Sequence, residues 1–365
     1  MRKAVWTGKE QTEVVQTDDP PPQILRPDDV LLRVTAAGVC GTDIHIWEQR
    51  LSIAHPPLVL GHEIAAVVDK CGPAVKHLKP GDRVKCDSVV GCGKCEWCQR
   101  GATQFCPDGW EFGITRDGGW ADWLVAPARN LRKLPAEISD EVAAIMDVEV
   151  YGALRKPGVR SGETIAILGA GPAGLIGLQV ARLLGAGRVI LCGTRPERLE
   201  LAKRLGADEV IDSRACDANE AVKDLTGGLG VDLAMDAAGT DLAIQQAIRM
   251  VRPQGRVVLY GVLGHAMRDF PSDEIVLKDL ILYGALPDRT GWEEFIEWVA
   301  SGQLDLASLI THRFPLEQAG EALRFMRDRK EGAIKAVLRI SGAEGIPAET
   351  ASASLKQSQL GPGAC

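Results

Sequence analysis

The chain has 365 residues with 45% hydrophobic and 25% charged content, which suits a globular protein of two ordinary domains. Its net charge of −7 argues against a nucleic-acid or anionic-membrane binder, which would carry a basic face. No apolar run approaches the ~18 residues of a transmembrane helix. Met1 opens onto Arg2 and Lys3 without the apolar stretch of a signal peptide, so the cytoplasm is the expected compartment, with neither membrane nor nucleic acid as partner.

In chain order, residues 1–150 read as short strands broken by turns: Val30–Val34, Leu58–Leu60 and Ile64–Asp69, punctuated by Gly72-Pro73 and Pro80-Gly81-Asp82. Here Gly38-Val39-Cys40-Gly41-Thr42-Asp43-Ile44-His45 and Gly61-His62-Glu63 supply Cys, His and carboxylate, the ligand types of a catalytic zinc with one open position. Singly, each has a plain structural explanation: Cys40 as a core thiol, His62 as a satisfied core histidine, Glu63 as a surface charge. Their weight comes from two motifs that follow.

The first is Cys92, Cys95, Cys98 and Cys106, spaced C-x2-C-x2-C-x7-C within fifteen residues. Thiolates so spaced close a tetrahedron around Zn²⁺ and leave no open position, which builds structure and does no chemistry. Two disulfides are the competing reading, but that framework belongs to short secreted chains. Cys71, Cys86, Cys192, Cys216 and Cys365 are scattered, and read as small buried hydrophobes or, for Cys365, an exposed tail thiol.

From about Gly162 strands and helices alternate: strand Thr164–Leu168, helix Ala173–Leu184, strand Arg188–Cys192, helix Glu197–Leu205 with Pro196 in its first turn, then Glu209–Ile211, Asn219–Leu225, Val231–Met235, Leu242–Met250 and Gly255–Tyr260. This predicts a parallel sheet with helices on both faces. Helical segments return at Trp292–Ser301 and Leu316–Arg329, followed by a strand-like Ala333–Ile340 and a small, polar, aperiodic tail, Ser341–Cys365, expected to be disordered.

The second motif opens this region. Gly169-Ala170-Gly171-Pro172-Ala173-Gly174 fits G-x-G-x-x-G between a predicted strand and helix, the context in which the pattern binds a dinucleotide. Gly169 permits the tight turn, Gly171 lets backbone approach the pyrophosphate, and Gly174 lets helix and strand pack, with the phosphates at the helix N-terminus and Pro172 counted among the cofactor-binding residues. The end of the second strand reads Cys192-Gly193-Thr194-Arg195, with Gly193 24 positions after Gly169. A carboxylate that would bond an NAD ribose is missing there and a cation is present, which favours NADP over NAD. The alternative makes Arg195 and Arg198 the solvated start of a helix.

GVCGTDIHIW, VLGHE, the cysteine tetrad and GAGPAG, in this order, resemble the zinc-dependent medium-chain dehydrogenase/reductase superfamily, which includes alcohol, sorbitol and threonine dehydrogenases. The resemblance runs from about Ala4 to Ile340 and implies an α/β protein: an N-terminal GroES-like β-barrel catalytic domain at 1–155 with a structural zinc lobe near 86–110, a Rossmann doubly wound parallel-sheet coenzyme domain at 156–288, and a return to the catalytic domain at 289–340. It implies two zinc ions per chain. Cys40 and His62 ligate the catalytic zinc with Glu63 at or beside it, Asp43 orients the histidine, Thr42 bonds the substrate oxygen, and His45 relays its proton outward. Where sorbitol- and threonine-type relatives place a glutamate, gapless alignment puts Ile145, with Asp147 and Glu149 close by; a water-completed set is the other arrangement. The expected activity is hydride transfer between a secondary alcohol, polyol or sugar-like, and NADP or NAD. Alternatives are an amino alcohol such as threonine, a zinc-free quinone or enone reductase of the same superfamily, and a non-enzymatic zinc module. A homodimer or homotetramer is implied by resemblance alone. Trp47, Trp110, Glu111 and Trp120 are candidate substrate walls.

Overall fold

The structure, a computed structural model, describes residues 1–286, 290–329 and 332–340. The expected tail, with Cys365, and the expected boundary at 288/289 lie outside the described residues. Among those described, no helix is long and apolar enough to cross a membrane.

The run around Val30–Val34 extends into an eleven-residue strand, Asp29–Val39, buried along nearly its whole length. A strand covered on both faces belongs at the centre of a sheet, and this one anchors seven strands. One edge pairs antiparallel with Ile64–Cys71, which is followed outward by Arg83–Cys86 and Leu131–Lys133. The other edge is shared: its first half pairs with Trp123–Pro127, and its second half with Lys335–Arg339 from the far end of the chain. Ile310–Pro315 lies parallel beside that last strand. A smaller sheet of Gln11–Gln16, Arg2–Gly8 and Leu58–Val59 packs nearby.

The alternating region forms the expected parallel sheet. Its spatial order is Glu209–Asp212, Arg188–Gly193, Thr164–Leu168, Val231–Asp236, Val251–Leu259, Ile281–Gly284. Numbered by sequence this is 3-2-1-4-5-6, the doubly wound order whose ligand crevice opens where the winding reverses, between Thr164–Leu168 and Val231–Asp236. The sixth strand is short and half exposed, and periodicity did not reveal it. Neither did it reveal the helices Asp140–Ala144 and Val148–Arg155, which stand within the stretch read as strands. Val148–Arg155 buries six of its eight residues, and Val142–Ala144 of the shorter helix join them, wedged between the two sheets in one core with Ala36, Ala65, Leu175, Leu178 and Phe295.

Three strand ends therefore meet at one place. Asp29–Val39 ends at Cys40, Ile64–Cys71 starts just after His62 and Glu63, and Lys335 opens the returning strand, whose Ala336 stands opposite Val39.

Candidate active site

Cys40 caps a seven-residue helix, Gly41–Trp47, whose first turn carries Asp43. Asp43 is fully buried; its Oδ2 accepts the Cys40 backbone N–H at 2.8 Å, and its Oδ1 lies 3.2 Å from His62 Nδ1. With Nδ1 turned to the carboxylate, Nε2 is left for the Cys40 side of the ring. The ligand atoms of Cys40, His62 and Glu63 all lie within 4.8 Å of one another. Burial alone would lower the His62 pKa, but Asp43 and Cys40 outweigh it and hold the imidazole well above its ordinary value in the metal-free chain.

Glu63 is pinned by a residue that the sequence reading did not single out. Lys335 Nζ lies 2.5 Å from Glu63 Oε1, while buried Oε2 has no hydrogen-bond partner. Burial pushes Glu63 up, and Lys335 and His62 more than offset this, leaving the carboxyl below its usual range. A second buried lysine, Lys85, donates to the Ala144 carbonyl at 2.7 Å, and burial lowers its pKa. An orphaned carboxylate oxygen beside a thiol and an imidazole is the donor set of a borderline-soft dication, so these residues fit zinc.

Ile145 is buried in the core and brings no ligand atom. Asp147 lines the cleft and caps Val148–Arg155: Oδ1 accepts the Glu149 N–H and Oδ2 the Tyr260 hydroxyl, each at 3.2 Å. Burial, then Glu63, raises its pKa. Neither Asp147 nor Glu149 joins the close cluster of Cys40, His62 and Glu63. Thr42 is half-buried, with Oγ1 3.8 Å from Cys40 Sγ, and His45 stands exposed one turn further along the helix.

The four tetrad sulfurs likewise lie within 4.8 Å of one another. The lobe is pinned by the pairing of Val89–Val90 with Trp110–Glu111. Backbone N–H groups of Lys94 and Cys95 draw the Cys92 thiol down to about 6, and burial drives Cys98 up to about 12. Four thiol sulfurs this close fit a shared cation, and no disulfide joins them.

The dinucleotide turn lines the same cleft as the trio, whose volume is ≈ 1030 Å³. Gly169 has φ +116, and a Cβ on Gly174 would stand 1.8 Å from the Gly169 carbonyl oxygen. Gly171 caps the helix Pro172–Leu183, with Pro172 at its first position and open space where a Cβ would be. Gly193 is buried, and a Cβ there would meet Ala170 Cβ at 2.8 Å, so a carboxylate does not fit without movement. Thr194 is exposed, and Arg195 Nη1 donates to the Arg329 carbonyl at 3.3 Å. Of the expected substrate walls, Glu111 lines the cleft, Trp47 and Trp120 are core residues, and Trp110 lines a separate cavity. Trp292 lines the cleft instead.

Family models for the alcohol dehydrogenase GroES-like domain and for zinc-binding dehydrogenase match residues 26–136 and 172–301. An L-threonine 3-dehydrogenase of Pyrococcus horikoshii is 37% identical over 342 residues, covering 90% of this chain and 95% of the relative. The sorbitol dehydrogenase of Bacillus subtilis is 32% identical over 335 residues, covering 90% and 94%. Among solved structures, the alcohol dehydrogenase TADH of Thermus sp. ATN1 superposes with a TM-score of 0.86 at 34% identity, covering 93% of this chain and all of that one. A protein of Sinorhizobium meliloti solved bound to NADP superposes at 0.85 with 29% identity, covering 93% and 98%. With these matches beside its strand-end Cys40–His62–Glu63 cluster, cysteine tetrad and doubly wound sheet, the chain belongs to the zinc-dependent medium-chain dehydrogenase/reductase superfamily.

Proposed function

We propose that this zinc-dependent alcohol dehydrogenase acts on a secondary alcohol, polyol or sugar-like, and prefers NADP to NAD. The observation that carries the reading is that Cys40, His62 and Glu63 share one cleft with the Gly169–Gly174 turn. Zinc held by those three residues supplies a Lewis acid that polarises the substrate oxygen, and the nicotinamide supplies the hydride acceptor.

The protein's own residues supply the rest. Asp43 holds His62 by Nδ1 and so presents Nε2. Lys335 occupies one Glu63 oxygen and leaves the other for the metal. Thr42 accepts the hydrogen of the substrate hydroxyl, and His45, on the same helix face three residues on, passes the proton to water. Although the residue is exposed, desolvation of the ring and then Arg50 draw the His45 pKa below its ordinary value, with Glu48 opposing, which favours the neutral ring as acceptor. With Asp147 engaged by Tyr260 and the Glu149 N–H, Cys40, His62 and Glu63 are the residues that would hold the metal. A second zinc belongs in the tetrad, as structure. Residues 1–155 and 289–340 make the catalytic part and 156–288 the coenzyme domain. The cytoplasmic location and the dimeric or tetrameric state rest on sequence character and family resemblance.

A second reading is an amino alcohol such as threonine. The P. horikoshii relative favours it, and the cleft wall offers Arg50 for a carboxylate and Glu48 or Glu111 for an ammonium group. A screen of polyols, simple secondary alcohols and L-threonine, following nicotinamide reduction with each cofactor, tests both. Turnover of polyols supports the first reading, turnover of threonine alone the second, and turnover of none with either cofactor rejects both.

A further inference from the structure

The adenosine end of the cleft gathers more positive charge than the strand-end residues bring. Arg195, Arg198 and Arg329 all line it. Arg195 and Arg198 belong to the start of the helix Pro196–Arg204, whereas Arg329 ends the helix Ala319–Asp328 in a left-handed conformation, φ 53. The two parts are tied together: Arg195 donates to the carbonyl of Arg329, and Arg198 Nη2 to that of Ala333. Both bonds end on neutral carbonyls, so neither removes a charge.

Among the described residues, none of the three guanidinium groups has an ion-pair partner. Asp212, on the strand beside Gly193, is held by Arg214 at 2.8 Å. Arg198 is half-buried, and its buried Nε has no acceptor. Burial, then the charges of Arg195 and Arg329, draws its pKa down to about 10, with Glu197 opposing. Like charges gathered in a cleft, one with a desolvated and unused donor, are complementary to a polyvalent anion. The neighbouring Gly193 has no room for the carboxylate that would repel one.

We propose that Arg329, with Arg195 and Arg198, forms the site of the NADP 2′-phosphate, so that a residue outside the doubly wound sheet sets cofactor choice. This rests on the nicotinamide reading above and names its second anion subsite.

The test compares adenosine 2′,5′-bisphosphate with adenosine 5′-monophosphate, which differ only in the 2′-phosphate, by calorimetric titration of the zinc-loaded full chain. The unmodified protein is expected to bind the bisphosphate the more tightly. Arg329→Gly removes the side chain while suiting the left-handed backbone, and is expected to narrow the gap between the ligands about 10-fold, as for one partly exposed charge-assisted contact. Arg329→Lys should restore part of it, and Arg198→Lys, keeping charge but losing Nε, should narrow it less than Arg329→Gly. Equal weakening of both ligands by Arg329→Gly, or an unchanged gap, overturns the assignment. If the unmodified protein binds both ligands equally, this inference fails and the dehydrogenase reading stands. If it binds neither, both fail.

Discussion

Asp43→Asn isolates what one buried carboxylate does for the metal site. Asp43 turns one acceptor oxygen to the Cys40 N–H, which donates at 2.8 Å, and the other to His62 Nδ1, an ion-pair contact of 3.2 Å. An amide of the same shape has one. If that oxygen keeps the Cys40 N–H, the NH₂ group faces His62 Nδ1, which can meet it only as an unprotonated nitrogen. The ring proton then moves to Nε2, the nitrogen meant for the metal. If the amide flips, the Cys40 N–H is left facing a donor, at a cost of about 1–3 kcal/mol. Lost support of a metal-binding histidine typically weakens affinity by about 10–100-fold, or roughly 1.4–2.7 kcal/mol. The tetrad lies elsewhere and is untouched. Native mass spectrometry during a chelator titration should show one zinc leaving at about 10–100-fold lower chelator concentration while the second is retained. Nitrogen NMR of His62 in the metal-free protein should show the ring, held protonated by Asp43 and Cys40 in the unmodified chain, losing its proton at lower pH in the variant. A folded Asp43→Asn protein that retains both zincs like the unmodified chain would refute the reasoning.

Cys95→Ser is expected to do the converse, losing the tetrad zinc and opening the lobe around Val89–Glu111 to proteolysis while the Cys40 site keeps its metal; loss of the other zinc in the metal analysis counts against the assignment. Gly174→Ala drives a methyl to 1.8 Å from the Gly169 carbonyl, so overpacking of about 1–3 kcal/mol should lower the unfolding temperature and weaken nucleotide binding together. Gly171→Ala meets open space and should weaken nucleotide binding with little thermal change, measured by fluorescence titration and calorimetry. Glu63 sets a pH dependence in the zinc-free chain. Its folded pKa is depressed, burial being outweighed by Lys335 and His62, so its contribution is full above the ordinary carboxylate value of about 4.3 and fades as pH falls through the folded value. Thermal unfolding of the zinc-free protein from about pH 6 to 3 should show that loss, and Lys335→Met should flatten it; an identical slope in the variant speaks against the pair.

The chemistry-bearing motifs were legible because each is local. Four cysteines within fifteen residues and three glycines within six bring their atoms together through turns that the intervening residues form by themselves. The parallel sheet was legible for a similar reason: buried strands alternating with amphipathic helices leave few ways to cover both faces. Helices Asp140–Ala144 and Val148–Arg155 escaped because the first is too short to show a period and the second, wedged between two sheets, buries six of its eight residues.

What tertiary structure decided is which distant residues face the motifs. Lys335 is 272 positions from Glu63 and reaches it only because the last strand pairs with Asp29–Val39 in the register that sets Ala336 opposite Val39. A shift of one residue would turn Lys335 to the other side of the sheet. Arg329 meets Arg195 across 134 positions. Trp47 and Trp120 look like cleft walls in sequence, yet the sheets enclose them, and Trp292 arrives from elsewhere. Local spacing thus brought together the tetrad sulfurs and the glycine turn, whereas the Cys40–His62–Glu63 cluster, its charge compensation and the cleft walls depend on strand pairing between distant segments, a long-range choice that no short window of sequence contains.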